Sequence, residues 1–124
     1  RLWGLLADEY GNAKSIFKSV FLLNHCPLML FSGERATNIT PDKIAGPTTR
    51  KLLERCDDHL REVVEIMQIE RVIGVGRYSE KRAKNALLNT GIEVTTCWHP
   101  SPASPLANRN GGQDWRDNVS SVLP

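Results

Sequence analysis

The sequence predicts an α/β fold with a parallel sheet, and three observations carry that expectation. Short unbroken apolar runs, Val20 to Leu23 and Val72 to Val75, have the composition of strands buried on both faces. Between them Leu52, Cys56, Leu60, Val63 and Met67 recur at spacings of 4, 4, 3 and 4, and Leu53 and Val64 widen this stripe along one face of a long helix. Strand-like and helix-like segments then alternate to the end of the chain, the pattern of crossovers between parallel strands.

In chain order, Leu2, Leu5 and Leu6 predict a short opening helix, and Asn12 can cap a second one reaching Phe17. Val20 to Leu23 is a strand stopped by Pro27, after which Leu28 to Phe31 resumes as a second short apolar run of the kind that suits a strand buried on both faces. A polar loop follows from Ser32 to about Thr49, broken by Pro41 and Pro47. Within it Asn38-Ile39-Thr40 matches a glycosylation sequon, but Pro41 follows and nothing else supports secretion, so it reads as a loop into a helix N-terminus. The long helix spans about Thr48 to Gln68. Arg71 to Gly76 is a strand entering a tight glycine turn, Ser79 can cap a helix reaching about Leu88, and Ile92 to Trp98 is a further strand. His99 to Asn108 holds three prolines and reads as neither helix nor inner strand. A last helix covers about Gln113 to Val122.

The 124 residues suit one domain. Apolar residues at 40% and charged residues at 24% argue against disorder, and a net charge of +2 is too small to indicate nucleic-acid binding by itself. That charge is unevenly spread. Six acids and two bases lie between Glu54 and Glu70, whereas five bases and one acid lie between Arg71 and Lys84, so one part of the chain could meet a polyanion that another would repel. No apolar run reaches bilayer length, and the N-terminus is not a signal peptide. The first residue is Arg1 rather than Met, so the sequence reads as starting inside a longer protein. Cys26, Cys56 and Cys97 form no metal or disulfide pattern and read as free thiols in a reducing compartment.

Ligands of parallel sheets gather at the carboxyl ends of strands, and three features fall there: Asn24, the Gly74-Val75-Gly76-Arg77 turn and His99. His99, fixed at a strand end before Pro100, can donate a hydrogen bond to charge developing on a leaving group, or can simply bond nearby backbone. Asn24 presents an acceptor and donors in one plane, which matches the N3-H and O4 edge of uracil and mismatches cytosine; the simpler reading is a strand-end amide satisfying backbone. The glycine turn lacks the third glycine of a dinucleotide fingerprint and the Lys of a P-loop. It either offers N-H groups and Arg77 to a phosphate or only lets strand and helix pass closely. The run from Pro100 through Leu106 to Asn108 is stiff, small and uncharged, fit to wedge between stacked bases or to be an ordinary surface loop. His25 and His59 are weaker candidates, in a turn and on a polar helix face.

The string His99-Pro100-Ser101-Pro102-Ala103-Ser104-Pro105-Leu106-Ala107-Asn108 resembles the second signature motif of the single-strand-selective monofunctional uracil-DNA glycosylases. Leu23-Asn24-His25-Cys26-Pro27-Leu28 resembles their uracil-recognition segment, and Val72-Ile-Gly-Val-Gly-Arg77 and Arg1-Leu-Trp-Gly-Leu also fit. The resemblance implies a three-layer parallel sheet flanked by helices, incomplete at the N-terminal side, with residues 1–124 as the C-terminal part of a single glycosylase domain. It implies hydrolysis of the N-glycosidic bond of uracil or an oxidised uracil in DNA after base flipping, in base-excision repair, in the nucleus. His99 would donate to uracil O2, Asn24 would read the base, and Gly76, Arg77 and the loop Ser101, Pro102, Ala103, Ser104, Pro105, Leu106, Ala107 and Asn108 would meet DNA. The implied enzyme is a monomer with no metal, no redox cofactor and no membrane partner.

The chain departs from that family in two respects: the Gly-Met-Asn-Pro-Gly string that positions the attacking water is absent, and Ala103 stands in the wedge loop where several relatives carry a basic residue that grips duplex DNA. The expectation is therefore a fragment with little excision activity and an incomplete, poorly stable sheet with unpaired edges. Two other readings are a non-catalytic DNA-binding fragment or degenerate paralogue, and an unrelated phosphate binder using the glycine turn.

Overall fold

The computed structural model describes residues 1–124. Helix α1 (Leu2–Tyr10) buries Leu5 and Leu6, and α2 (Ala13–Ser19) is capped by the Asn12 side chain, which accepts from the Ser15 N–H at 3.0 Å. Strands β1 (Leu30–Ser32) and β2 (Thr37–Ile39) form an antiparallel hairpin, followed by a single 3-10 turn at Pro41–Lys43. Helix α3 (Pro47–Ile66) leads to β3 (Arg71–Val75), α4 (Gly76–Ala86) and β4 (Glu93–Cys97). The short α5 (Pro105–Asn108), a 3-10 turn at Arg109–Gly112 and α6 (Gln113–Ser120) close the chain.

The fold is mixed α/β around a small parallel sheet: β3 and β4 pair from Arg71↔Glu93 to Val75↔Cys97. Alternate strand residues serve opposite faces, as the pleat requires. On one face Ile73, Val75 and Cys97 pack with Leu5 of α1, Ala107 of α5 and Trp115 and Val119 of α6. On the other, Val72 and Val94 pack with Leu60 and Val64 of α3 and Ala83, Ala86 and Leu87 around α4. Gly74 sets the closeness of the second layer: a β-carbon there would lie 2.5 Å from the backbone of Glu80, so β3 and α4 touch backbone to backbone.

Several local expectations are corrected. Val20–Leu23 is no strand. Val20 is extended, at φ −132°, ψ 131°, but the run pairs with nothing, and Val20–Leu23 and Val72–Val75 line a common groove of about 770 Å³. An extended run becomes a strand only where a neighbour supplies the ladder. The apolar Leu28–Phe31 stretch is not buried either: its end forms β1 in an exposed hairpin, and the Ser32–Thr49 segment, expected as a polar loop, contributes β2, including Asn38 and Ile39. Ser79 caps nothing, because α4 begins three residues earlier at Gly76, whose φ of +84° turns the chain straight from strand into helix. The proline-rich segment does hold a helical turn, α5, since Pro105 occupies its first position, where a missing N–H costs no bond. The buried side of α3 runs through Cys56, Asp57, Leu60 and Val64, so it is rotated from the expected stripe, and Met67 is exposed.

Candidate active site

The carboxyl ends of β3 and β4 lie side by side, Val75 opposite Cys97, so Gly76 and His99 emerge together. A β-carbon on Gly76 would lie 3.0 Å from the His99 Cβ. Glycine is thus required there twice, by its positive φ and by the imidazole against it. The first turn of α4 has no side-chain cap, and Arg77 is exposed on it.

His99 is aimed by the residues around it. The Trp98 N–H donates to Asn118 Oδ1 and the Trp98 carbonyl accepts from Trp115 Nε1, both at 2.8 Å, so α6 grips the strand end on both backbone polar groups. Nδ1 of the exposed His99 accepts from the Ser101 N–H at 3.1 Å. In the neutral ring the proton therefore sits on Nε2, which is the atom with a hydrogen to give.

The loop after His99 is built from its own polar groups. Asn108 Nδ2 donates to the Pro102 carbonyl at 2.7 Å, and Asn108 Oδ1 accepts from Arg1 Nη2 at 3.0 Å. Arg1 Nη1 donates to the carbonyl of Ala107 at 2.8 Å, and Ser101 Oγ accepts from the Ala103 N–H at 3.2 Å. Ser104 precedes the first turn of α5, Ala107 is fully buried, and Leu106 remains on the outside. Asn108, singled out above as a DNA contact, thus uses both ends of its amide to close the loop.

Asn24 is exposed on the unpaired stretch between α2 and β1. Its neighbour His25 reaches Tyr78, in the first turn of α4, with Nδ1 3.2 Å from the phenol oxygen. The Asn24 segment and His99 therefore approach the same helical turn, the first at Tyr78 and the second at Gly76. Neither Asn24 nor His99 lines the large groove beside β3.

Sequence reasoning missed the charged cluster behind this turn. Asp57 of α3 is buried at 3% exposure; its Oδ1 accepts from His25 Nε2 at 2.8 Å and Arg82 Nε at 3.2 Å. Its Oδ2 accepts from Arg82 Nη2 and from Asn85 Nδ2, the latter at 2.9 Å. A signal was present: Asp57 lies four residues after Leu53 and three before Leu60, a carboxylate inside an apolar stripe. Burial pushes the Tyr78 phenol up to about 12 and the Cys97 thiol up to about 11, so both groups stay protonated at neutral pH. The three cysteines are free.

No protein-family model matches the chain. Curated relatives do. The chain is 37% identical over 124 residues to the single-strand selective monofunctional uracil-DNA glycosylase of Rattus norvegicus, covering 98% of this chain and 44% of that protein. It is 36% identical to the enzyme of the same name from Mus musculus with the same coverage. Against the one from Bos taurus it is 37% identical over 111 residues, 88% of this chain and 40% of that protein. The chain spans less than half the length of these relatives, and across nearly all of its own residues it is related to the single-strand selective monofunctional uracil-DNA glycosylases.

Proposed function

We propose that this chain is the C-terminal part of a uracil-DNA glycosylase domain, carrying base recognition and leaving-group stabilisation. The reaction is hydrolytic. The oxygen of water bonds to C1′ of the deoxyribose, the N1–C1′ bond breaks, and its electron pair leaves with the base as an anion that is then protonated. The substrate is DNA holding uracil or an oxidised uracil, turned out of the duplex, and the setting is base-excision repair in the nucleus. His99 donates from Nε2 to the O2 of the departing base, Asn24 reads the base edge, and the loop from Ser101 to Asn108, with Leu106 outermost, fills the gap in the stack. Gly76 and Arg77 hold the backbone phosphate at the uncapped start of α4.

The observation that carries this reading is the His99 tether. A ring held by α6 through Trp98, by the Ser101 N–H and by Gly76 has one donor atom in a fixed place, which is what stabilisation of developing charge needs. The groove between Val20–Leu23 and β3 supports reading the sheet as incomplete, with room for a further strand of a larger three-layer sheet. No residue identified in these 124 aims a water at C1′, so the chain by itself has impaired activity.

The test is uracil release from an oligonucleotide by the 124-residue chain and by the full-length protein containing it. The expected result is release by the longer protein, lowered roughly 10²–10³-fold by His99→Ala, and little by the chain alone. Ordinary turnover by the chain alone overturns its impairment. DNA binding without release by the longer protein favours a non-catalytic DNA-binding paralogue.

A further inference from the structure

We propose that His25 is a positioning residue for Asn24, locked by Asp57 and Tyr78 so that the neighbouring amide faces a bound base in one orientation. The inference rests on the base-reading role proposed above for Asn24.

The stretch from Val20 to Met29 has no ladder of backbone bonds to hold it. Leu23 packs on the α3–α4 core, and the hydrogen bonds of His25 reach residues 32 and 53 positions away. Both ring nitrogens are used, and the side chain is 8% exposed, so the ring is a plug rather than a surface group. Its two partners come from different elements: Asp57 from α3 and Tyr78 from α4. Tyr78 also meets the ring edge-on at 5.7 Å between centroids. Asp57 cannot drift, because Arg82 and Asn85 hold its other lone pairs. In the neutral ring, Nε2–H donates to Asp57 and the Tyr78 O–H donates to Nδ1. The carboxylate thus fixes the ring, the ring fixes its own backbone, and that backbone carries Asn24 one residue away. An amide that must discriminate a donor–acceptor pattern depends on such fixation, since a rotated amide reads the opposite pattern. The anchor also stands on the α4 turn that packs on His99, so the two groups share one reference point.

The test compares full-length wild type, His25→Phe, Asn24→Ala and the double variant. Uracil release from an oligonucleotide is measured, with backbone 15N relaxation across residues 22 to 27. Phe keeps the ring volume and deletes both hydrogen bonds, while Arg82 and Asn85 still satisfy Asp57. The expected result is a roughly tenfold to hundredfold loss of kcat/KM in His25→Phe, and less than about twofold further loss when Asn24 is already Ala. The order parameter at Asn24 should fall from about 0.85 to below about 0.6. His25→Gln, which retains a donor toward Asp57, should recover most of the activity and serves if the Phe variant does not fold. Equal losses in both backgrounds, or an Asn24 backbone that stays rigid in His25→Phe, overturns the anchor. If Asn24→Ala leaves uracil release unchanged, the base-reading role falls and the proposal with it, even where the relaxation data show the anchor intact.

Discussion

Trp98 and the loop after it sit among α1, α5 and α6, whereas the stretch from Val20 to Met29 crosses the surface without a strand partner. The first region holds His99 through backbone bonds to a neighbouring helix and a packed indole. The second holds Asn24 between Leu23, packed on the α3–α4 core, and one imidazole wedged into a buried ion cluster. The contrast extends to apolar surface: Trp115, Leu5 and Val119 are out of water, while Phe17, Phe21, Leu28, Met29 and Phe31 are each more than half exposed. Where packing is thin, a saturated carboxylate can supply the rigidity that side-chain burial supplies elsewhere, at the expense of making one loop depend on a few polar atoms.

The largest effect that would sharpen this contrast is at Trp115. Trp115→Ala should cost about 3–5 kcal/mol in urea unfolding, against at most about 0.5 kcal/mol for Phe21→Ala on the exposed side; similar losses at the two positions would erase the distinction. Asp57→Ala should cost about 3 kcal/mol, because it strands Arg82 and His25 in a buried site. Gly76→Ala should cost about 1–3 kcal/mol and displace His99, visible as shifted imidazole resonances, since it forces a positive φ and a close contact at once. Asn108→Ala should cost about 1 kcal/mol and speed proteolytic cleavage between Ser101 and Asn108 while leaving the Asn24 segment as it was. The smallest effect is at Cys97, where the folded-state value near 11 lies above the ordinary 9. The stability tied to its neutral thiol is complete below pH 9 and is lost as pH rises toward 11, so the melting difference between wild type and Cys97→Ala should narrow from pH 7 to pH 10.

The parts legible in the sequence are those whose periodicity matches their burial. Helix α3, the β3 and β4 runs and α6 stand within one or two residues of where spacing puts them. Val20–Leu23 misled because its composition reports a preference for pairing and cannot report whether a partner is in reach. The β1–β2 hairpin was hidden because its strands are three residues long and mostly exposed, too short to show an alternation. His99 and Gly76 were legible as strand-end residues, and the contact between them follows from the parallel register; Asn24 was expected at a strand end and instead lies exposed on an unpaired stretch, because the run before it finds no partner. The His25–Asp57–Arg82 cluster was not, because its members lie 25 and 32 residues apart and no local window joins them.

A two-stranded sheet that gives every other residue to each of two cores acts as a partition shared by both. Val72 belongs to one side and Ile73 to the other, on a single stretch of backbone. Melting either side strips half the support from the wall that the remaining side leans on. The two halves should therefore come apart in one calorimetric transition, and damage far from His99, on the α3 side, should be felt at the strand end that carries it.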